Sequence, residues 1–322
     1  MESDATSRDP GGSNPAGVSA QFSPRFSPQF IPLPAGFGVE VSGVDLSRPL
    51  SEDEFAVLRR AFFDHQLMVV RHQSLTPLQF SAFAGRFGPP EPHVIDQFHH
   101  PLDPDILILS NRREDGKPIG LADGGTYFHT DYSYLDVPAR ATTLYSVEVP
   151  CVGGDTLFAD QYAAYDALPE ATKRLIEPLL AIHHYGNRQD QNEKSRTVAS
   201  VLTDEQKAKM PVITHRIARP HPITGRKALY AVSGSSFGIV GMPDDEAVAL
   251  LDELAAHATQ PRFQYSLRYG VGDVVVWDNA SLLHAATLTH PDDPRTLWRV
   301  TLKERAAPAA AVLAPSFAGA GM

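Results

Sequence analysis

Apolar and polar positions along the chain alternate with two different periods, which predict a mixture of helices and strands. Residues 38–44 alternate as a short strand, and residues 67–70 form an apolar run suited to a buried strand. Ser51 and Glu54 form a capping box ahead of apolar residues at helical spacing, namely Phe55, Leu58, Ala61 and Phe62. Thr76-Pro77 predicts the start of a second helix, which we expect to end near residues 87–88.

Strands dominate the pattern after residue 140. We predict strands at residues 141–149, 155–159, 212–217, 228–232, 263–269, 273–277 and 295–303, and helices at about 161–182 and 243–258. Many short strands separated by Gly and Pro turns indicate a sandwich or barrel, and the jelly roll is the version whose mouth commonly holds a metal. We therefore expect a mostly β fold with flanking helices around a jelly-roll core.

Two internal segments and both ends of the chain lack a sustained pattern. Residues 90–127 contain one convincing strand, at 106–109, and residues 186–209 are a polar run, so we expect both segments to be mobile and to close over a site. Residues 1–33 are rich in Ser, Pro, Gly and Asp, which predicts a disordered N-terminal extension. Residues 306–322 form an Ala/Pro-rich tail that we expect to be flexible, which leaves residues 34–305 as one domain.

Composition and charge exclude several classes of function. The 322 residues are 43% apolar and 20% charged, as in ordinary soluble globular proteins. The net charge of −10 argues against a nucleic-acid or anionic-membrane partner, because both require a basic surface. The single cysteine, Cys151, excludes an internal disulfide framework and a thiolate metal site. No secretion signal or long apolar run is visible, so we expect a cytoplasmic protein.

The first candidate for chemistry is the pair His129 and Asp131. If this stretch is extended, the imidazole and the carboxylate point to the same face and offer two metal ligands. A third protein ligand that left coordination positions open would suit oxygen-activating ferrous iron. The pair alone does not decide, because His290 and Asp292 have the same spacing in a polar run typical of a surface turn.

Three further features lie downstream of this pair. The turn at residues 153–156, Gly-Gly-Asp-Thr, leads into a predicted strand. The sequence Trp277-Asp278-Asn279 ends another strand and is followed by His284. Alternation in the last strand places Arg295 and Arg299 on one face and apolar side chains on the other, so both arginines face whatever cavity lies opposite.

Taken together, these spacings resemble the Fe(II)/2-oxoglutarate-dependent dioxygenases of the taurine dioxygenase and 2,4-dichlorophenoxyacetate dioxygenase (TauD/TfdA) type. The family pattern of His-x-Asp, a Thr or Ser, a distal His and then an Arg falls on His129, Asp131, Thr156, His284 and Arg295. The resemblance runs from about residue 36 to about residue 303 and is weakest over residues 94–126 and 186–212. It implies a double-stranded β-helix, that is, a cupin-like jelly roll.

The resemblance also implies a set of site residues. It assigns Fe(II) to a catalytic facial triad of His129, Asp131 and His284, with 2-oxoglutarate and O2 as cosubstrates. The distal carboxylate of 2-oxoglutarate would bind Thr156 and Arg295. The residues expected to bind or enclose the prime substrate are His93, Arg299, Tyr132 and Tyr185.

The implied activity is hydroxylation of a C–H bond in a small acidic organic substrate, coupled to oxidative decarboxylation of 2-oxoglutarate to succinate and CO2. A sulfonate such as taurine, a sulfate ester, a phenoxyalkanoate or an amino-acid-derived biosynthetic intermediate all fit, and the last could undergo desaturation instead. Assembly as a dimer or tetramer stays open. Two other classes stay open as well: a non-catalytic jelly-roll binding protein, and a zinc hydrolase, since two His and one Asp also hold zinc. The complete ligand set argues against the binding protein, and the two arginines and Thr156 are better explained by a dicarboxylate cosubstrate than by a zinc hydrolase.

Overall fold

The computed structural model describes residues 26–122, 124–184 and 211–304 of the chain. In these ranges the α-helices are α1 Glu52–His65, α2 Pro77–Ala84, α3 Gln161–Asp166, α4 Glu170–Ile176 and α5 Asp244–Ala258. The strands are β1 Phe26–Pro32, β2 Val39–Val44, β3 Leu67–Val70, β4 His99–His100, β5 Asp103–Ser110, β6 Arg113–Glu114, β7 Lys117–Pro118, β8 Ala139–Glu148, β9 Thr156–Asp160, β10 Leu180–His183, β11 Ile213–Arg216, β12 Ala218–Pro220, β13 Lys227–Leu229, β14 Ser236–Ile239, β15 Gln264–Leu267, β16 Val274–Asp278, β17 Leu282–Ala286 and β18 Thr296–Lys303.

A large sheet forms one layer of the fold, with strand order β1-β2-β3-β16-β8-β18-β5-β4. Helices α1 and α2 cover one face of this sheet, where their apolar side chains join a buried cluster that includes Phe62, Phe80, Val276 and Val300. The predicted capping box is present, since the Ser51 side chain accepts a hydrogen bond from the Glu54 backbone N–H and the Glu54 carboxylate accepts one from the Ser51 backbone N–H. The local sequence therefore sets the start of α1, and the helix that follows buries its apolar residues against the sheet.

A second layer covers the opposite face of the large sheet. Its strands have the order β15-β9-β17, and a buried cluster fills the space between the layers with side chains such as Leu144, Val275, Phe158 and Leu282. Helices α3 and α5 and the small sheet β11-β10-β14 pack outside this layer around a third apolar cluster. The result is the predicted mostly β, cupin-like jelly roll with flanking helices.

The structure corrects several predicted elements. The single helix predicted over residues 161–182 is two short helices, α3 and α4, followed by strand β10. Pro169 lies between the helices and cannot extend α3, because proline has no backbone N–H to donate. Strand β10 then pairs with both β11 and β14, so tertiary pairing overrides the helical pattern.

The N-terminal prediction is wrong at its C-terminal end. Residues 26–32 form strand β1, which pairs antiparallel with β2 and buries Phe26. The proline-rich composition of this segment suggested disorder, but pairing at the edge of a sheet tolerates proline. Residues 1–25, 185–210 and 305–322 lie outside the described residues, so the N-terminal extension, the mobile polar run, the tail and the domain limit at residue 305 stay predictions.

The segment over residues 90–127 has more structure than its sequence indicated. It contains strands β4 to β7, and an Asp115-Gly116 turn with positive φ at both residues connects β6 to β7. Strands β14 and β17 were also not predicted, and β17 carries His284. No helix in the described ranges combines the length and apolar character needed to span a lipid bilayer.

Candidate active site

The two candidate metal histidines are fixed to each other through their backbones. His129 N–H donates to the His284 carbonyl and His284 N–H donates to the His129 carbonyl, each at 2.9 Å. Residues that exchange both hydrogen bonds in an antiparallel pair carry their side chains on the same face. The two imidazole rings accordingly lie 4.2 Å apart, centroid to centroid.

Asp131 completes the group, two residues after His129. Its Oδ1 lies 3.8 Å from His129 Nε2, and its Oδ2 lies 3.6 Å from His284 Nε2. These separations are too long for hydrogen bonds, while one ligand atom from each residue lies within 4.8 Å of the others. Among the described residues this is the group of three His, Cys, Asp or Glu side chains that converge closely enough to hold a metal ion.

The protonation of the group fits a divalent metal. The Tyr127 carbonyl lies 2.8 Å from His129 Nδ1, which places the proton there and leaves a lone pair on Nε2. Burial lowers the pKa of His129, and it lowers the pKa of His284 to about 3, so both imidazoles are neutral. Burial would raise the pKa of Asp131, but the Arg299 guanidinium outweighs it and, with the hydrogen bond from the Thr142 hydroxyl, holds the carboxyl ionised. Neutral imidazoles and a carboxylate are the forms that bind metals.

Glycine keeps the space beside His129 open. Gly125 has φ +73°, and a Cβ there would lie 2.6 Å from His129 Cε1 and 3.2 Å from Nε2. A side chain at this position would therefore crowd the Cε1–Nε2 side of the ring, where the Nε2 lone pair lies. Gly234, with φ +92°, allows a similar approach from the other side, where a Cβ would meet the Cβ of His129 at 2.8 Å.

One end of the site carries Thr156 and Arg295. Strand β9 pairs with β17, so that Thr156 lies opposite Ala286 and shares a face with His284. Arg295 directly precedes β18, and its Nε donates to the Gly154 carbonyl at 3.2 Å. A Cβ on Gly154 would lie 3.0 Å from Arg295 Cδ, so the glycine turn gives this side chain its room. Thr156 Oγ1 is 2.7 Å from the hydroxyl of Tyr269.

The other end carries Arg299, His93 and Tyr132. Arg299 Nη2 lies 3.7 Å from Asp131 Oδ1, and the Tyr132 hydroxyl, which donates to the Glu91 carbonyl at 3.3 Å, lies beside the same guanidinium. Burial raises the pKa of Tyr132 to about 12, so this phenol stays protonated. Burial, reinforced by Arg299, lowers the pKa of His93 to about 3. His93 Nδ1 accepts from the Ile95 N–H at 3.1 Å, which leaves Nε2–H as a donor.

A single cavity joins these residues, with about 1070 Å³ of space including its open mouth. Eight of the nine predicted site residues line it: His93, His129, Asp131, Tyr132, Thr156, His284, Arg295 and Arg299. Tyr185 lies outside the described residues. Sequence reasoning missed further lining residues, namely Ile95, Leu121, Tyr127, Tyr134 and Ser235. Trp277 was noted in the sequence, but its position in the cavity wall was not predicted.

Different signals were available for these missed residues. Tyr134 follows Tyr132 at the spacing of one face and could have been included with it. Ser235 lies in the run Ser233-Gly234-Ser235, which carries no local signal of a site. It reaches the cavity because its hydroxyl bonds to Ser133 at 2.6 Å, across 102 residues of sequence.

The fold and the site together define a class of protein. Two neutral imidazoles and one carboxylate converge inside a jelly roll, with a partly buried arginine at each end of the same cavity. A metal held in this way keeps coordination positions open, as in non-haem iron oxygenases with a 2-His-1-carboxylate triad.

The family follows from sequence comparison. A sequence model of the family described as "Taurine catabolism dioxygenase TauD, TfdA family" matches residues 29–301. The chain belongs to this family.

Relatives and solved structures agree with this assignment. The (S)-phenoxypropionate/alpha-ketoglutarate-dioxygenase of Sphingobium herbicidovorans is 33% identical over 285 residues, covering 84% of this chain and 94% of that protein. The alpha-ketoglutarate-dependent 2,4-dichlorophenoxyacetate dioxygenase of Cupriavidus pinatubonensis is 34% identical over 281 residues, covering 84% and 96% respectively. The crystal structure of AAD-2 in complex with Mn(II) and N-oxalylglycine is similar with a TM-score of 0.73 at 30% identity, covering 87% of this chain and 98% of that one.

These findings confirm the predicted class of enzyme and its cofactors. The protein is a dioxygenase that depends on Fe(II), 2-oxoglutarate and O2. The substrates of the named relatives are small organic molecules.

Proposed function

We propose that the protein hydroxylates a small organic acid whose anionic head group is joined to an apolar, aromatic body, as in an aryloxyalkanoate. The observation that carries this proposal is the composition of the cavity wall. Beside its polar residues, the described wall of the cavity that contains Arg299 carries several aromatic and aliphatic side chains. Its one carboxylate is that of Asp131, which already lies close to His129, His284 and Arg299.

This composition disfavours a zwitterionic substrate. The ammonium group of an amino sulfonate such as taurine would be desolvated in the cavity, and a buried charge without a partner is costly. An aryl group would instead contact Tyr127, Tyr134, Ile95 and Leu121, which are apolar surfaces that it can bury. The two named relatives with phenoxy acid substrates support the same choice.

The roles of the site residues follow from their positions. His129, Asp131 and His284 would hold Fe(II), which with 2-oxoglutarate and O2 supplies the oxidising chemistry. The Arg295 guanidinium would bind the distal carboxylate of 2-oxoglutarate in a bidentate fork, and the Thr156 hydroxyl would add a hydrogen bond. Oxidative decarboxylation of that cosubstrate by O2 would give succinate and CO2, with one oxygen atom of O2 in the succinate and the other in the hydroxylated substrate.

The head group of the substrate would bind at the opposite end of the cavity. Arg299 offers the charge, the His93 Nε2–H offers a neutral donor, and the Tyr132 hydroxyl lies beside the guanidinium. Tyr132 has φ +55°, a conformation that is costly for an aromatic residue and is retained where function or packing requires it. Because His93 is neutral, the full positive charge at this end comes from Arg299.

The test compares matched substrates in the presence of Fe(II), 2-oxoglutarate and O2. We expect 2-phenoxypropanoate to stimulate succinate formation, whereas its neutral primary amide and taurine do not. In Arg299→Ala the KM for the acid should rise about 30-fold or more, because truncating one partner of a buried charged pair costs about 2–5 kcal/mol. The KM for 2-oxoglutarate should change much less.

Two results would contradict the proposal. Stimulation by taurine with none by the phenoxy acid would show that the wall does not select an apolar body. A larger effect of Arg299→Ala on 2-oxoglutarate than on the acid would reverse the assignment of the two arginines.

A further inference from the structure

A chain of hydrogen bonds leads from the sheet interior to the metal-binding carboxylate. Trp277 Nε1 lies 3.1 Å from Asn279 Oδ1, Asn279 Nδ2 lies 2.9 Å from Thr142 Oγ1, and Thr142 Oγ1 lies 2.5 Å from Asp131 Oδ2. All four residues are buried, with at most 4% of each exposed. Strands β8 and β16 pair Thr142 with Trp277, so the sheet itself brings the members together.

The chemistry of the groups sets the direction of each bond. An indole N–H can only donate, so Asn279 Oδ1 is the acceptor and its amide nitrogen is the donor to Thr142. A hydroxyl has one hydrogen, and Thr142 is left to donate it to Asp131. The 2.5 Å separation is typical of a hydroxyl that donates to an ionised carboxylate.

The consequence is that the two oxygens of Asp131 are not equivalent. Oδ2 accepts the Thr142 hydroxyl and lies 3.6 Å from His284 Nε2, whereas Oδ1 lies 3.8 Å from His129 Nε2 and 3.7 Å from Arg299 Nη2. Asn279 also fixes the neighbouring backbone, since its Oδ1 lies 3.4 Å from the Asp131 N–H and its carbonyl accepts from the Thr130 hydroxyl at 3.1 Å. These hydrogen bonds therefore fix both the position and the rotation of the Asp131 carboxylate.

We propose that Thr142, Asn279 and Trp277 are positioning residues that present Asp131 Oδ1 to the metal and so set the metal affinity of the site. This role accounts for Trp277 and Asn279 in the Trp277-Asp278-Asn279 sequence, to which the proposed binding of cosubstrate and substrate gives no role. The proposal rests on the assignment of Asp131 as a metal ligand. Partners that orient metal ligands typically contribute about 10- to 100-fold to affinity.

The strand offers a matched pair of threonines for the test. Thr142 faces the metal site, and Thr143 is equally buried on the opposite face, where its hydroxyl makes no hydrogen bond within the described residues. Thr142→Val removes the hydroxyl without changing the volume, Thr142→Ser retains it, and Thr143→Val repeats the chemical change away from the site. Circular dichroism and thermal unfolding verify that each variant is folded.

The measurement is the Kd for Co(II) of the full-length protein, determined by calorimetry and by the visible absorption of the bound ion. We expect Thr142→Val to weaken Co(II) binding about 10- to 100-fold. Thr142→Ser should stay within about threefold of the parent and Thr143→Val should be unchanged, because both retain the donor to Asp131.

The outcomes separate this proposal from the metal site on which it rests. Parent protein that does not bind Co(II), or Asp131→Ala that binds it as tightly as the parent, overturns both. Parent protein that binds Co(II) while folded Thr142→Val binds it equally well overturns the positioning role alone. An equal loss in Thr142→Val and Thr143→Val would show a packing effect and also overturn it.

Discussion

The inner end of the cavity and its outer rim are built from different kinds of structure. The inner end, defined as His129, Asp131, His284, Thr156 and Arg295, is attached to paired strands or lies next to them. The outer rim, defined as His93, Tyr127, Tyr132, Tyr134 and Ser235, lies on segments outside the strands. Strand geometry fixes the inner end once the register is set, whereas the rim depends on how separate loops pack on one another.

Side-chain hydrogen bonds hold the rim together. Ser133 and Ser235 are bonded through their hydroxyls, and His183 Nδ1 lies 3.2 Å from Ser235 Oγ. Ser233 donates to the Phe128 carbonyl at 2.7 Å, immediately before the metal histidine. Substrate preference can therefore change through these loops while the inner end keeps its chemistry.

The largest expected effect that separates the two regions is that of Arg295→Ala. Loss of the guanidinium should raise the KM for 2-oxoglutarate about 30-fold or more, since truncating one partner of a buried charged pair costs about 2–5 kcal/mol. Co(II) affinity should be unchanged, because Arg295 Nε donates to the Gly154 carbonyl and a guanidinium has no lone pair to offer a cation. Succinate formation at varied 2-oxoglutarate and calorimetry with Co(II) measure the two quantities.

Arg268→Ala is the control for this substitution. Arg268 is an exposed arginine that donates to the Cys151 carbonyl, so its loss removes the same charge without altering the cavity. Equal KM values for 2-oxoglutarate in Arg295→Ala and Arg268→Ala would show that Arg295 does not bind the cosubstrate.

A smaller effect at the inner end is expected from Tyr269→Phe. Tyr269 is buried, its hydroxyl is 2.7 Å from Thr156 Oγ1, and burial raises its pKa to about 12, so it is a protonated phenol that fixes the Thr156 hydroxyl. One such hydrogen bond contributes about 0.5–1.5 kcal/mol, which is lost when the hydroxyl is removed. The KM for 2-oxoglutarate should rise about 2- to 10-fold while kcat is retained.

Tyr265→Phe serves as the matched variant, because Tyr265 lies on strand β15 and packs against Phe37 away from the cavity. If the steady-state rates with Tyr269→Phe and Tyr265→Phe superimpose over all 2-oxoglutarate concentrations, Tyr269 has no part in binding the cosubstrate.

The contrast between the two regions also explains what the sequence could predict. The capping box of α1 and the alternation in β18 are local patterns, so the helix start and the shared face of Arg295 and Arg299 were predictable. The inner end was recognisable because its residues recur at family spacings. Thr142 was not, because its contact with Asn279 spans 137 residues and depends on the pairing of β8 with β16.

Other failures have the same cause. The helix predicted over residues 161–182 gave way to β10 because β11 and β14 both pair with that segment. Tyr269 follows a strand that ends beside Thr156, and only the pairing of β15 with β9 reveals this proximity. Roles predicted for Tyr132 and His93 in substrate binding stay predictions, although both side chains line the cavity.

The smallest expected effect concerns His183, which is hydrogen-bonded to Ser235 of the rim. Burial, reinforced by His215 and Arg219, lowers its pKa to about 3 from an ordinary value of 6.5. Between these values the unfolded chain binds a proton that the folded chain does not, so stability is lost as the pH falls below 6.5. His183→Asn removes this proton uptake and keeps a side chain that can bond to Ser235.

The free energy of unfolding in urea, measured at pH 7 and pH 5 with saturating Co(II), tests this difference. A bound cation holds His129 and His284 unprotonated in both folded proteins, so their proton uptake on unfolding is the same in the parent and in His183→Asn and cancels in the comparison. Parent protein should lose more stability on acidification than His183→Asn, by up to about 1.4 kcal/mol for each pH unit below the ordinary histidine pKa. Parallel losses in the two proteins would show that His183 is not the titrating support of the rim, and the acid sensitivity would then belong to other buried groups.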